Sequence, residues 1–230
     1  MEEMTASLLA FEIEGLTDEQ IRQFINYYNI LIEWNSRMNL TRITDPVEVA
    51  RKHFADSVLG SELLPANARV IDVGTGAGFP GIPLKIVRPD IELVLVDSLG
   101  KRVNFLKEAC AAIGVDAEAI HARAEDAARD PGLRERFDVA LSRAVAPMNI
   151  LLELTVPFVR VGGSSLMYKA ASVGEELSAA ESALGKLGCR AEVHPFDVGW
   201  GARSIVRAVK LKKTDAKYPR KAGSIEKAPL

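Results

Sequence analysis

Apolar residues fall into two spacings along this chain, and the change from one to the other sets out the architecture. Beyond Pro65, short apolar runs alternate with stretches in which apolar residues recur every three or four positions. The runs predict strands near 69–73, 91–97, 116–121, 137–142 and 163–169. The spaced stretches predict helices near 80–88, 101–113, 123–129 and 147–160. Strands separated by helices imply a parallel sheet covered on both faces. A further helix near 173–187 leads to two strands near 189–197 and 202–210. The short turn Val198-Gly199-Trp200-Gly201 joins them, which predicts an antiparallel hairpin at the end of the sheet.

Before Pro65 the spacing is helical. Thr17-Asp18-Glu19-Gln20 has the form of a capping box, with Thr17 as N-cap. The stripe Ile21, Phe24, Ile25, Tyr28, Leu31 and Ile32 follows and reads as core. Trp34 to Arg42 is polar and turn-rich, and a second helix should run from Pro46 through Val49, His53 and Val58. The expected organisation is a helical extension over 1–64, an α/β core over 65–211 and an irregular basic tail over 212–230.

Composition narrows the class. At 230 residues the chain is long enough for one large domain, or a core domain with a small appendage. Its 48% hydrophobic and 26% charged residues are ordinary for a globular protein. The net charge of −2 argues against a bulk cationic nucleic-acid binder, but the charge is unevenly placed. Six acidic residues and no Lys or Arg lie between Met1 and Gln20, whereas eight basic residues lie between Arg207 and Lys227. A basic tail on a near-neutral body suits phosphate contact, although a solvated polar tail reads the same way. Cys110 and Cys189 have no metal-binding spacing, so neither a zinc site nor a disulfide framework is expected. No run approaches the length of a membrane span and no apolar leader opens the chain, so no membrane is expected as a partner and a cytoplasmic monomer is.

The densest chemical signal is Val70-Ile71-Asp72-Val73-Gly74-Thr75-Gly76-Ala77-Gly78-Phe79-Pro80. This is a strand, a glycine-rich turn and the start of a helix. Such a turn lets a ligand approach bare backbone. A dinucleotide fingerprint needs GxGxxG, and Phe79 stands where its third glycine belongs. The observed Asp72, followed by GxGxG at Gly74, Gly76 and Gly78, resembles the S-adenosylmethionine (SAM) loop of Rossmann-like methyltransferases. Asp97 closes the second strand, about 20 residues further on, where an acid suits hydrogen bonding to ribose hydroxyls. Asp97 also suits a helix cap, and nicotinamide cofactors use a similar acid.

Ligands in such sheets lie outside the carboxyl ends of the strands. The third strand should deliver Arg123, Ala124 and Glu125 there, the fourth Arg143 and the fifth Lys169. Arg143 therefore reads as facing both cofactor and substrate. His53 has apolar neighbours, and a half-buried structural histidine is as good a reading as a functional one.

Six blocks resemble the bacterial 16S ribosomal RNA guanine-N7 methyltransferases, the small-subunit methyltransferase G family. They are Asn39-Leu40-Thr41, Lys52-His53-Phe54-Ala55-Asp56-Ser57, Asp72 through Leu84, Asp97 through Arg102, Ser142-Arg143-Ala144, and Tyr218-Pro219-Arg220-Lys221. The resemblance runs from about Trp34 to the C-terminus. It implies a class I Rossmann-like α/β fold: a mostly parallel sheet with a C-terminal antiparallel hairpin, plus the N-terminal helices. It implies methyl transfer from SAM to N7 of a guanine in the helix-18 loop of 16S rRNA, whether in naked RNA, a precursor particle or the small subunit. Carried over by position, Asp72, Gly74, Gly76, Gly78, Phe79, Asp97, Ala124, Glu125 and Arg143 would serve the cofactor. Asn39, Lys52, His53, Lys169, Tyr218, Arg220 and Lys221 would face RNA, and Arg143 would also be catalytic. The chain departs from the family at Lys169-Ala170, where Lys-Gly is usual, and in the tail, which lacks two prolines.

Guanine N7 already has a lone pair, so this chemistry needs alignment more than a general base. Three other readings remain at this stage. They are a methyltransferase for small molecules, a SAM or nucleotide sensor without turnover, and a nicotinamide dehydrogenase, which Phe79 and the terminal hairpin disfavour.

Overall fold

Arg69–Val73 forms β1 of the computed structural model, which describes residues 2–170 and 173–230. The strands that follow are β2 (Glu92–Asp97), β3 (Ala117–His121), β4 (Phe137–Arg143), β5 (Val159–Ala170), β6 (Cys189–Phe196) and β7 (Arg203–Lys210). They make one seven-stranded sheet in the order β3-β2-β1-β4-β5-β7-β6. The first five strands are parallel, and β7 runs antiparallel to β5 and β6. This is the Rossmann-like α/β sheet with a terminal hairpin that the apolar spacing predicts. The chain turns from β1 towards β2 on one side and resumes with β4 on the other. That switch of direction opens a crevice at the carboxyl ends of β1 and β4.

The helices in chain order begin with α1 (Glu2–Glu12) and α2 (Asp18–Asn35). The capping box at Thr17 forms as expected, with Thr17 N donating to Gln20 Oε1 at 2.9 Å. Next, α3 (Pro46–Val49) passes through a π-helical turn, Ala50–Ala55, into α4 (Asp56–Val58). Then come α5 (Gly81–Val87), α6 (Gly100–Ile113), α7 (Ala124–Ala127), α8 (Met148–Thr155), α9 (Gly174–Ala179), α10 (Glu181–Leu187) and α11 (Ala222–Lys227). Phe24, Tyr27 and Leu31 of α2 share one apolar core with Val70, Leu84, Leu95 and Phe105. The N-terminal helices therefore cover the same sheet face as α5 and α6. The opposite face is closed by residues such as Ala127 beneath β1 and β4, and by Met148, Leu152 and Leu187 beneath β5 and β7.

Two expectations need correction. The helix expected over 147–160 stops at Thr155, and β5 begins at Val159 after the 3₁₀ turn Val156–Phe158. Pro157 removes a helical donor there. Further on, the β4–β5 register slips between Phe137↔Val159 and Val139↔Ser164. Gly162 takes φ +86° in that bulge, and a Cβ on Gly163 would strike the Asp138 carbonyl oxygen.

The second correction concerns the tail, which is docked, with Lys217 and Arg220 in ion pairs. Arg134 donates to the Tyr218 and Thr214 carbonyls at 2.9 and 3.2 Å. Arg220 grips the fully buried Glu153 of α8, with Nη2 to Oε2 at 2.6 Å. Lys210 is fully buried and donates to Glu135 Oε1 at 2.7 Å and to the Val156 and Val159 carbonyls. Desolvation is the largest influence on its ammonium and lowers its pKa. Tyr218 and Ile225 are core residues. A charge run counted along the sequence does not reveal which charges already have partners.

Arg220→Ala would leave the Glu153 carboxylate buried without its cation. The expected loss is about 3–5 kcal/mol, read from urea unfolding. Lys221→Ala, at the exposed N-cap of α11, should change stability by less than about 0.5 kcal/mol.

Candidate cofactor and substrate cleft

A cleft of about 730 Å³ opens at the carboxyl ends of β1 to β4. Its floor is the turn after β1. Gly74, Gly76 and Gly78 all adopt left-handed backbone, with φ of +71°, +61° and +92°. Each glycine is needed for a different reason. A Cβ on Gly74 would lie 2.8 Å from Val145 Cγ2, so this glycine lets the β4 loop settle on β1. A Cβ on Gly78 would lie 2.5 Å from both Ile82 Cδ1 and the Tyr27 hydroxyl, so this one admits α2 and α5. At Gly76 a Cβ would meet nothing within 4 Å, so its bare face is turned to the open cleft. Of the three, only Gly76 has the open approach that a ligand requires.

Two carboxylates brace the turn. Asp97 Oδ2 accepts from Gly76 N at 2.9 Å, and Oδ1 accepts from Leu99 N at 2.9 Å. Arg102 stands 3.5 Å from the same carboxylate, and Asp97 lines the cleft. Asp72 is fully buried behind the turn and does not line the cleft. Its Oδ2 accepts from the Thr75 hydroxyl at 2.7 Å and Gly81 N at 2.9 Å, while Oδ1 is buried without a partner. Asp72 therefore supports the loop from behind. Burial pushes its pKa up to about 6 despite those two donors. The orphaned oxygen and the open face at Gly76 fit a ligand such as SAM, whose sulfonium and ammonium would favour the ionised carboxylate.

Opposite the turn, β4 ends in Arg143, and the next residue, Ala144, takes φ +57°. That is an uncommon conformation for a residue with a Cβ. Arg143 Nη1 donates to Asp56 Oδ2 at 3.0 Å and to the Lys52 and His53 carbonyls at 3.4 Å each. Its Cζ lies 5.0 Å from the centroid of Phe79, on which the His53 ring stacks at 4.5 Å. His53 Nε2 is 2.7 Å from Thr41 Oγ1. Desolvation, with Arg143 nearby, lowers the His53 pKa to about 4, so the ring is neutral at pH 7. The remaining wall includes Ala124 and the nearly buried Glu125.

The structure therefore brings Gly74, Gly76, Phe79, Asp97, Ala124, Glu125, Arg143, Lys52 and His53 to one cleft. Gly78 packs beneath it. Asn39 is exposed beside Leu40 and Thr41. Lys169 lines an adjoining chamber, where it is neutralised by Glu176 Oε2 at 2.6 Å and donates to the Ala146 carbonyl. Tyr218, Arg220 and Lys221 line neither space. Arg220 is bonded to Glu153 and Tyr218 is core, while Lys221 is exposed.

Sequence reasoning gave Asp56 no role beyond its family-like block and missed Arg203. Arg203 Nε donates to Asp56 Oδ1 at 2.7 Å. The available signal is positional. The first residue of an antiparallel strand lies at the same sheet edge as the last residues of the parallel ones, and Arg203 pairs in register with Ala170. Among the described residues, no cluster of three or more His, Cys, Asp and Glu is arranged to hold a metal ion, and no helix is long and apolar enough to cross a membrane.

The model of the family described as rRNA small subunit methyltransferase G matches residues 20–202. The ribosomal RNA small subunit methyltransferase G of Alkaliphilus oremlandii is 46% identical over 222 residues, covering 94% of this chain and 92% of that protein. Its counterpart from Desulforamulus reducens is 44% identical over the whole length of both. In fold, the chain is similar to a SAM-dependent methyltransferase from Aquifex aeolicus. That likeness has a TM-score of 0.54 and 19% identity, and covers 72% of this chain and 94% of that one.

Gly76→Ala should fold, with about 1–2 kcal/mol of left-handed strain, yet lose ligand affinity at the loop; Gly78→Ala should fail to pack α2. Circular dichroism and SAM titration separate the two. A second expectation concerns pH. The raised Asp72 pKa means the folded state takes up a proton first, so acidification from pH 6 to 4 relieves a burial penalty. The lowered His53 pKa acts oppositely: the unfolded state binds the proton first, and stability is lost from about pH 6.5 down to 4. Asp72→Asn removes only the first effect. The variant should therefore lose more stability than the wild type between pH 7 and 4, by on the order of 3 kcal/mol in urea melts.

Proposed function

The chain belongs to the rRNA small subunit methyltransferase G family, and from that premise we propose that it methylates N7 of a guanine in the helix-18 loop of 16S rRNA. It is a SAM-dependent methyltransferase. The observation that carries the finer reading is the single cleft where the glycine turn, Asp97 and Arg143 meet. We also propose that it acts as a cytoplasmic monomer, without metal, on 16S rRNA, whether naked, in a precursor particle or in the small subunit.

SAM, when bound, supplies an electrophilic methyl group on its sulfonium. The open backbone at Gly76 receives the cofactor, and Asp97 keeps acceptor capacity for ribose hydroxyls beyond its two backbone donors. Ala124 and Glu125 close the far wall of the cofactor site, and Phe79 its inner wall. Guanine N7 needs no deprotonation, and the neutral His53, fixed to Thr41, fits a cleft without a general base. Arg143 orients the base, and its Nε and Nη2 groups can reach the O6 edge while N7 stays free for attack. Proximity and alignment can supply roughly 7–11 kcal/mol in such a reaction.

The test is incubation with labelled SAM and 16S rRNA, or small subunits, lacking the N7 modification. Borohydride and aniline cleavage then maps the product. A single new stop in the helix-18 loop is the expected outcome. Label in RNA with no aniline-sensitive site would overturn guanine N7, and no label in RNA would overturn the rRNA substrate. Arg143→Ala should keep its fold, because Asp56 retains Arg203, while methyl transfer falls by roughly 10²-fold. Wild-type turnover in that variant would remove Arg143 from the mechanism.

A further inference from the structure

Beside the main cleft lies a second chamber of about 360 Å³, and Asp56, Arg143, Ala144 and Arg203 form the wall between them. Asp56 takes Arg143 on one oxygen at 3.0 Å and Arg203 on the other at 2.7 Å. One carboxylate thus serves two guanidinium groups, and one positive charge is left over. One further carboxylate, Asp72, acts on Arg143 from behind the glycine turn but does not line the chamber, and the groups nearer to it do not cancel the excess. Lys169 is matched by Glu176, Lys52 by Glu48, and Arg102 by Asp97, while His53 is neutral. The side chains of Arg143 and Arg203 are only 13% and 25% exposed, so water screens the excess charge incompletely.

The donors left over point to the ligand class. Arg203 uses Nε for Asp56 and Nη1 for the Gly201 and Ala202 carbonyls, and its Nη2 has no partner among the described residues. Among the described residues, Arg143 bonds through Nη1 alone. A guanidinium with free N–H groups in a partly dry, net positive chamber suits an oxyanion with several acceptor oxygens. The chamber shares its wall, including Arg143, with the main cleft, so a strand whose base is oriented by Arg143 would bring a neighbouring phosphate within its reach.

We propose that this chamber is a phosphodiester subsite for the RNA strand, and that Arg203 is its principal ligand, gripping the phosphate next to the target guanosine. The inference rests on the rRNA reading above. Arg203 would set the register of the strand, and hence which nucleotide enters the main cleft.

The experiment uses the full chain with Arg203→Ala and Arg203→Lys, and 16S rRNA as probe. Three quantities are read: SAM affinity by calorimetry, kcat and KM for rRNA, and the salt dependence of rRNA binding without SAM. Arg203→Ala should raise KM for rRNA about tenfold, corresponding to roughly 1.4 kcal/mol, and leave SAM affinity within about twofold. Its plot of log K against log salt should be shallower by about 0.7–0.9, the loss of one phosphate contact, and Arg203→Lys should restore that slope. Weakened SAM binding with an unchanged KM and slope would overturn the subsite, because Arg203 would then act on the cofactor through Asp56 and Arg143. Unchanged values throughout would also overturn it. Should Arg203→Ala not fold, Arg203→Gln gives the same three readings. Wild-type protein that fails to methylate 16S rRNA would instead overturn the proposed function, a result distinct from a wild type that works and an Arg203 variant that matches it.

Discussion

The carboxylate of Asp56 is the point on which the site is hung. Three elements far apart in sequence converge there: the start of α4, the end of β4, and the start of β7. An isolated carboxylate this buried would be strongly unfavourable, and two arginines with direct hydrogen bonds make it tolerable. Each arginine would in turn be poorly placed without it. The π-helical turn contributes as well, because it presents the Lys52 and His53 carbonyls to Arg143. Such turns are frequent at functional sites. The N-terminal helices are thus joined to the sheet twice, by a shared apolar core and by a polar tie at the mouth of the cleft.

The glycine turn shows how local demands become a binding surface. Three left-handed residues in close succession would be strained with any other side chain. Two of them are occupied in letting Val145, Tyr27 and Ile82 approach, and those contacts hold the third with its bare face outward. Tyr27 also donates its hydroxyl to the Ala77 carbonyl, so a helix outside the α/β core helps to fix the loop. Asp72 and Asp97 divide the remaining work, one bracing the turn from the core and the other from the cleft.

What could be read from the sequence was local or periodic. The apolar runs gave the strands, the switch in spacing gave the helices between them, and the Thr17 box gave the start of α2. Gly74 to Gly78, Asp97 and Arg143 were legible because a parallel sheet delivers the ends of its strands to one edge. Pairings across long separations were not legible. Asp56 and Arg203 are 147 positions apart, and Arg220 reaches Glu153 over 67. No spacing rule carries such information, so the tail looked like free cationic chain when Arg220 and Lys210 were already matched. Pro157 and the Gly162-Gly163 bulge are visible as residues, but their effect on the β4–β5 register depends on the facing strand.

The titratable groups in and behind the cleft are held by their surroundings. His53 is pressed towards its neutral form between Phe79 and Thr41, and Asp72 is sealed behind the turn. What the cleft fixes firmly is position, through backbone donors, a stacked aromatic ring and guanidinium groups held by a carboxylate. A nucleophile that already carries its lone pair and a ligand that brings its own electrophile require little more than that alignment. The sequence investment follows the same logic. Residues whose substitution would disturb geometry lie at the cleft, as Ala144 and Asp56 do, or pack beneath it, as Gly78 does, and their contacts fix Arg143 and the turn relative to one another.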